Sequence, residues 1–196
     1  MRAPIKKIII CGGGSAGWMS AAVLSNQFAN MEIALVESPN IPVVGVGEST
    51  LGTINSFLDM LDLKDEDWMK ECQATYKLGI KFSDFYAKDD VYYYPFGVKD
   101  TQNTQAGVTD WYVKKTLNPD ISKLDFYNSL YSCMPFIYDN KIYDNADGQL
   151  PNFSWRTDVA YHVDAIQFGH MLRDKVAIPN GVVHIKEEIE DVVIKV

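Results

Sequence analysis

KIIICGGGSAGW, residues 7–18, is the stretch on which the fold turns. Lys7–Cys11 is a short β-branched run of the kind that forms a strand buried in a parallel sheet. Gly12-Gly13-Gly14-Ser15-Ala16-Gly17 follows at once and matches G-x-G-x-x-G. Ser15–Phe28 then reads as a helix with Trp18, Met19, Ala22 and Val23 on one face, and Glu32–Glu37 as a second strand. Together they make a βαβ unit of about 30 residues, the usual size. In such a unit Gly12 makes the tight turn, Gly14 lets the backbone approach a pyrophosphate, and Gly17 permits close helix–strand packing. Ser15, Ala16 and Gly17 open the helix, where N–H groups and the helix dipole favour an anion. Glu37 ends the second strand about 20 residues further on, where an acid bonds the adenosine ribose. A glycine turn that binds nothing leaves this acid unexplained. No GK[ST] follows the glycines, so a P-loop is excluded. The fingerprint does not separate FAD from NAD and says nothing of the reaction.

Working outward, Pro39–Ser49 is a loop rich in Pro, Gly and Val. The spacing of Leu51, Ile54, Phe57, Leu58 and Leu61 predicts a helix starting near Ser49 or Thr50. Asp65–Tyr76 suggests another helix, and Leu78–Phe85 alternates like a strand. Residues 86–119 are polar, aromatic and without clear period, and 86–160 read as an insertion into the core fold. Within it Asp120–Tyr131 suggests a helix and Asp139–Trp155 a loop. Asp164 is a good N-cap for a helix to about Val176, and Val182–Ile185 and Val192–Val196 are strand-like. Ending on an apolar strand pattern is unusual, so the chain reads as truncated. The fold class is therefore α/β: a Rossmann-type domain over residues 1–196 with a mainly parallel sheet and an inserted aromatic-rich region.

Composition narrows the function. Over 196 residues, 47% hydrophobic and 22% charged content is that of a globular domain with a sizeable core. A net charge of -8 without a basic patch argues against nucleic acid. Cys11, Cys72 and Cys133 are odd in number and show no metal-ligand spacing, which fits a reducing compartment. No apolar run approaches the roughly 18 residues of a membrane span, and the apolar start breaks into glycines instead of a signal-peptide cleavage site. A cytoplasmic protein is expected. His162, His170 and His184 form no HExxH or similar metal pattern, and no G-x-S-x-G elbow is present.

Several segments are more specific. CGGGSAGWMS (Cys11–Ser20) is followed by VGVGEST (Val44–Thr50), TYKLGIKF (Thr75–Phe82), YPFG (Tyr94–Gly97) and Tyr161-His162-x-Asp164-Ala165. In this order they resemble the flavin-dependent halogenases of the tryptophan-halogenase type, from residue 7 to the C-terminus. The matching family patterns are G-G-G-[ST]-A-G-W-x-x-A, G-V-G-E-[SA]-T, [FY]-K-x-[AG]-I-[KR]-F, H-x-F-G and [YW]-H-x-D-A. Trp18, directly after the third glycine, also suits core packing of the first helix. His162 and Asp164 read as structural, a hydrogen-bonded histidine and an N-cap. The family's W-x-W-x-I-P motif, the glutamate that partners its lysine and its later flavin-binding segments have no counterpart in these residues.

The resemblance implies bound FAD, reduced by a separate flavin reductase and reaching the protein by diffusion, with oxygen and a halide ion as co-substrates. It implies that Val46, Gly47, Glu48, Ser49 and Thr50 form a strap along the flavin. Lys77 falls on the lysine that directs hypohalous acid, and Tyr94 and Phe96 on the substrate pocket. Tyr94 stands where the family has histidine, so an electron-rich phenol or indole is expected and tryptophan itself is in doubt. A homodimer is compatible with the resemblance. No metal, nucleic acid or membrane is called for. The alternatives are an FAD-dependent hydroxylase or other flavoprotein oxidoreductase, and a non-catalytic nucleotide-binding fragment.

Overall fold

The computed structural model describes residues 4–42, 47–97, 104–142 and 153–193; Val46 and residues 143–152 and 194–196 lie outside them. In chain order the elements are β1 (Lys7–Cys11), α1 (Ser15–Gln27), β2 (Glu32–Glu37), β3 (Glu48–Ser49), α2 (Ile54–Met60), α3 (Asp65–Trp68), β4 (Thr75–Lys77), β5 (Gly79–Ser83) and β6 (Val91–Pro95). There follow α4 (Thr104–Leu117), α5 (Lys123–Leu130), α6 (Met134–Asp139), α7 (Trp155–Asp158), β7 (Ala160–Val163), α8 (Ala165–Met171), a π-helical segment (Leu172–Ala177) and β8 (Val183–Lys186). The chain divides into two units: Met1–Ser49, Ser56–Thr75 and His162–Val196 form the first, Thr50–Asn55 and Tyr76–Tyr161 the second.

In the first unit β2 is the central strand of a parallel sheet ordered β1-β2-β8. Its register runs from Lys7↔Glu32 to Cys11↔Val36 on one side and from Ala34↔Val183 to Glu37↔Lys186 on the other. Ile33, Ala34 and Leu35 are buried, as a strand paired on both sides requires. Helix α1 buries Trp18, Ala21, Ala22 and Ser25, three to four residues apart, against α8 and the π-helical segment. Met19 and Val23, expected on that face, are only half-buried. The two alanines set the face, because they let the helix axes approach closely. Phe168 of α8 packs edge-on to Trp68 at 5.5 Å and against Phe57 at 6.4 Å.

Several expectations are corrected. No helix starts at Ser49 or Thr50: Glu48 and Ser49 pair antiparallel with Val163 and His162, and α2 begins at Ile54. Asp65–Tyr76 is helical only to Trp68, because Gln73 at φ +48° turns the chain towards β4. The helix capped by Asp164, whose carboxylate accepts from Gln167 N–H at 2.9 Å, changes to π geometry at Leu172. The strand expected at Val182–Ile185 forms one residue later as β8, and Val192 and Val193 are irregular.

The second unit has its own core. Tyr131, Cys133 and Met134 are buried beneath Tyr93, Tyr127, Leu130, Ile137 and Phe153. Strands β5 and β6 form an antiparallel hairpin from Gly79↔Pro95 to Ser83↔Val91, and the directly opposed Phe82 and Tyr92 rings stack at 4.6 Å. Residues 86–119, aperiodic to the eye, contain β6 and α4. Helix α5 starts at Lys123 because the Ser122 hydroxyl accepts from Leu124 N–H at 3.1 Å. Among the described residues no helix is long and apolar enough to cross a membrane.

Candidate functional site

In the first unit the glycine turn sits between β1 and α1. Gly12 has φ +111° and donates its N–H to Val36 O at 2.8 Å, a conformation that favours glycine. A Cβ on Gly17 would lie 2.0 Å from Gly12 O and 3.5 Å from Leu35 Cδ1, so this glycine sets the closeness of helix and strand. A Cβ on Gly14 would meet nothing within 4 Å, which leaves open space at the helix start. The first N–H groups of a helix such as α1 have no acceptor four residues back, so they are available to an anion at this end. Gly13, a variable position of the motif, is filled by Glu37: a Cβ there would fall 1.4 Å from Glu37 Oε2. The other oxygen, Oε1, is 2.6 Å from His184 Nε2 on β8. Trp18 meets the His184 ring edge-on at 5.0 Å.

Two cavities flank these groups. One of about 240 Å³ is lined by Gly13, Trp18, Glu37, His170, Arg173 and Lys186, among others. The Arg173 guanidinium is held by Asp174 at 2.7 Å, which raises the arginine and lowers the carboxyl. The second, a wide cleft of about 570 Å³, is bordered by Gly47, Glu48, Ser49, Gln73, His162 and Asp164, among others. Ser15 of α1 donates to Glu48 Oε1 at 3.2 Å, tying the glycine turn to the 47–49 segment.

The second unit holds a different chemistry. Lys77, at the end of β4, is 8% exposed. Its Nζ donates to Thr50 O at 2.9 Å and stands 5.2 Å from the Phe96 ring centroid. Burial lowers its pKa from the ordinary lysine value. Phe96 is fixed from both sides: its N–H donates to Leu78 O at 2.8 Å and its carbonyl accepts from Cys133 Sγ at 3.1 Å. Tyr94 is exposed and touches Phe96 edge-on at 6.1 Å.

A sequence profile described as tryptophan halogenase matches residues 7–196. The chain belongs to that family. This halogenase-family chain is 30% identical to the tryptophan 7-halogenase RebH of Lentzea aerocolonigenes, over 98% of its own length and 38% of that protein's. Its fold superposes on Xcc4156, a flavin-dependent halogenase from Xanthomonas campestris, with a TM-score of 0.81, 30% identity, and coverage of 98% of this chain and 37% of the other. The apo structure of VirX1 gives 0.81 with 43% identity, covering 95% and 36%. The chain thus spans well under half of these relatives.

The residues expected from sequence fall into two groups. Gly12, Gly14, Ser15, Ala16, Gly17 and Glu37, with Gly47, Glu48 and Ser49, lie in the first unit, while Thr50, Lys77, Tyr94 and Phe96 lie in the second. Val46 lies outside the described residues. Asp164 is the N-cap expected of it, and His162 is exposed and borders the cleft. A dinucleotide fits what the first unit presents: a turn without Cβ at Gly12 and Gly14, open space beside Gly14 at the start of α1, and a carboxylate at the strand end.

Sequence reasoning missed His184, Asn55 and Tyr161. The signal for His184 was available, since a histidine in the β-branched run Val182–Ile185 needs a partner. Tyr161 opens the segment Tyr161-His162-x-Asp164-Ala165, in which His162 and Asp164 carry the more evident chemistry. Asn55 carries no sequence signal.

Proposed function

We propose that this chain carries the FAD-binding turn and the catalytic lysine of a flavin-dependent halogenase acting on an electron-rich aromatic. The supporting observation is Lys77, a buried amine held between a backbone carbonyl and an aromatic ring. Glu37 would take the adenosine ribose, the start of α1 the pyrophosphate, and Gly47–Ser49 would lie along the flavin. Reduced FAD, delivered by a separate reductase, would supply hypohalous acid from oxygen and halide.

Lys77 does the rest through its amine. One N–H is committed to Thr50 O, which fixes the direction of Nζ. Burial shifts the equilibrium towards the neutral amine, whose lone pair can take the halogen. Amine and hypohalous acid give N-haloamine and water; haloamine and arene then give haloarene and restore the amine. If the group stays protonated, it donates a hydrogen bond to the oxidant and orients it. In either case the lysine keeps an electrophile beside the ring and away from water. Tyr94 and Phe96 would form the aromatic wall of the substrate pocket, with Tyr94 setting a preference for phenols or indoles other than tryptophan.

The test supplies reduced FAD, oxygen and bromide or iodide to the chain with a panel of phenols and indoles, alongside Lys77→Ala and Lys77→Arg. Halogenated product from wild type and from neither variant supports the reading. Halogenation by Lys77→Arg would remove the lysine from the mechanism, and halide-free hydroxylated product would make the protein a hydroxylase.

A further inference from the structure

Thr50, whose carbonyl accepts from Lys77, is tethered on its other sides. Its N–H donates to Tyr161 O at 2.8 Å, and its hydroxyl donates to the same oxygen at 3.1 Å while accepting from Tyr161 N–H at 2.9 Å. The Tyr161 hydroxyl donates to Asn55 Oδ1 at 3.2 Å. Asn55 Nδ2 donates to Val159 O at 2.6 Å and to Gly52 O at 3.0 Å. Asn55, Val159 and Tyr161 are 7%, 0% and 4% exposed, so water does not substitute for these bonds. A Cβ on Gly52 would lie 1.9 Å from Thr157 O, so the turn is pressed against the segment before Val159.

We infer that Asn55 and Tyr161 are positioning residues for Lys77, acting through the main chain of Thr50. The amide of Asn55 ties the 52–55 turn to Val159 and Tyr161, and the three Thr50–Tyr161 bonds hold the Thr50 main chain, and with it the carbonyl, in place. The lysine inherits that placement. A fold-stabilising role alone would need these bonds but would leave the lysine's state unchanged when they are cut and the fold survives. The inference rests on the proposed role of Lys77, and its test has an arm that does not.

That arm follows the Nζ resonance of Lys77 by NMR titration of 15N-lysine-labelled chain without cofactor, in wild type, Asn55→Ala, Thr50→Val and Thr50→Ser. Wild type is expected to titrate below an ordinary lysine. Asn55→Ala and Thr50→Val are expected to move the midpoint back towards solvent lysines as the amine swings free, while Thr50→Ser keeps the wild-type value. Where Asn55→Ala fails to fold, Tyr161→Phe, which removes one hydroxyl, is expected to give the same shift in part. An unmoved Lys77 midpoint in folded Asn55→Ala, Thr50→Val or Tyr161→Phe would overturn the inference. In turnover, kcat for halogenation is expected to fall roughly tenfold in Asn55→Ala with KM for the arene little changed. A shifted midpoint in a chain that never halogenates leaves the positioning intact and removes the catalytic role proposed for Lys77 in this chain instead.

Discussion

Gly13→Ala puts the most strain on a single idea, that the glycine turn is built around the Glu37 side chain. Gly13 has no positive φ, so its backbone accepts alanine. The new methyl, however, would fall 1.4 Å from Oε2, 2.3 Å from Cδ and 2.7 Å from Cβ of Glu37. Glu37 must swing away, and its contact with His184 at 2.6 Å is then broken. A hydrogen bond to a charged group is worth about 1.5–3 kcal/mol. With side chains 19% and 12% exposed, water recovers part of that, leaving a loss of about 1–2 kcal/mol in unfolding free energy. If Glu37 also bonds the ribose, FAD affinity falls about ten- to a hundredfold. Flavin fluorescence titration and denaturant unfolding of Gly13→Ala, Glu37→Gln and the double variant measure both. The double variant should bind no more weakly than Glu37→Gln, since the two changes remove one interaction. Wild-type affinity in Gly13→Ala, or fully additive losses, would refute the reasoning.

The remaining outcomes concern the buried groups and the tight glycine. Because Lys77 has a folded-state pKa below its unfolded value, the unfolded chain binds more protons between the two, and this group's contribution to stability rises with pH through that window. Lys77→Met should therefore be more stable than wild type at pH 7, with the gap narrowing towards pH 10.5 in urea unfolding. Burial pushes the Cys72 and Cys133 thiols up to about 11, whereas Cys11 is exposed. At pH 8 about one buried thiol in a thousand is then ionised, and a thiol reagent should label one cysteine quickly in the native chain and all three after denaturation. Gly17→Ala, with its Cβ 2.0 Å from Gly12 O, should cost about 1–3 kcal/mol in unfolding and abolish FAD titration, because backbone cannot yield as Glu37 can.

Where periodicity and turn chemistry act together, the sequence was readable. The run Lys7–Cys11 and the acid-terminated Glu32–Glu37 form strands with the expected bounds, and Asp164 caps its helix. Periodicity misled where a short polar bond overrode it. Leu51, Ile54, Phe57 and Leu58 do lie at helical spacing, yet Thr50 spends its hydroxyl on Tyr161 instead of capping, and the helix starts late. Aromatic-rich residues 91–95 hid a strand because Val91–Pro95 pairs with β5 through the stacked, half-buried rings of Phe82 and Tyr92, without apolar alternation. The candidate site divided in the same way. Glycines and Lys77 sit in local motifs, whereas the partners that hold Glu37 and Thr50 come from residues more than a hundred positions away, which no local pattern records.

That separation has a consequence for synthesis. Strand β2 takes its second neighbour from β8, and Glu37 takes its partner from His184, 147 residues later. A ribosome adding about 5–20 residues per second leaves the far edge of β2 bare for roughly ten seconds or more. During that interval the buried run Ile33–Leu35 is an unpaired parallel edge on the nascent chain. A chaperone that shields extended apolar segments should raise the yield of this chain, and pausing codons placed before β8 should lower it.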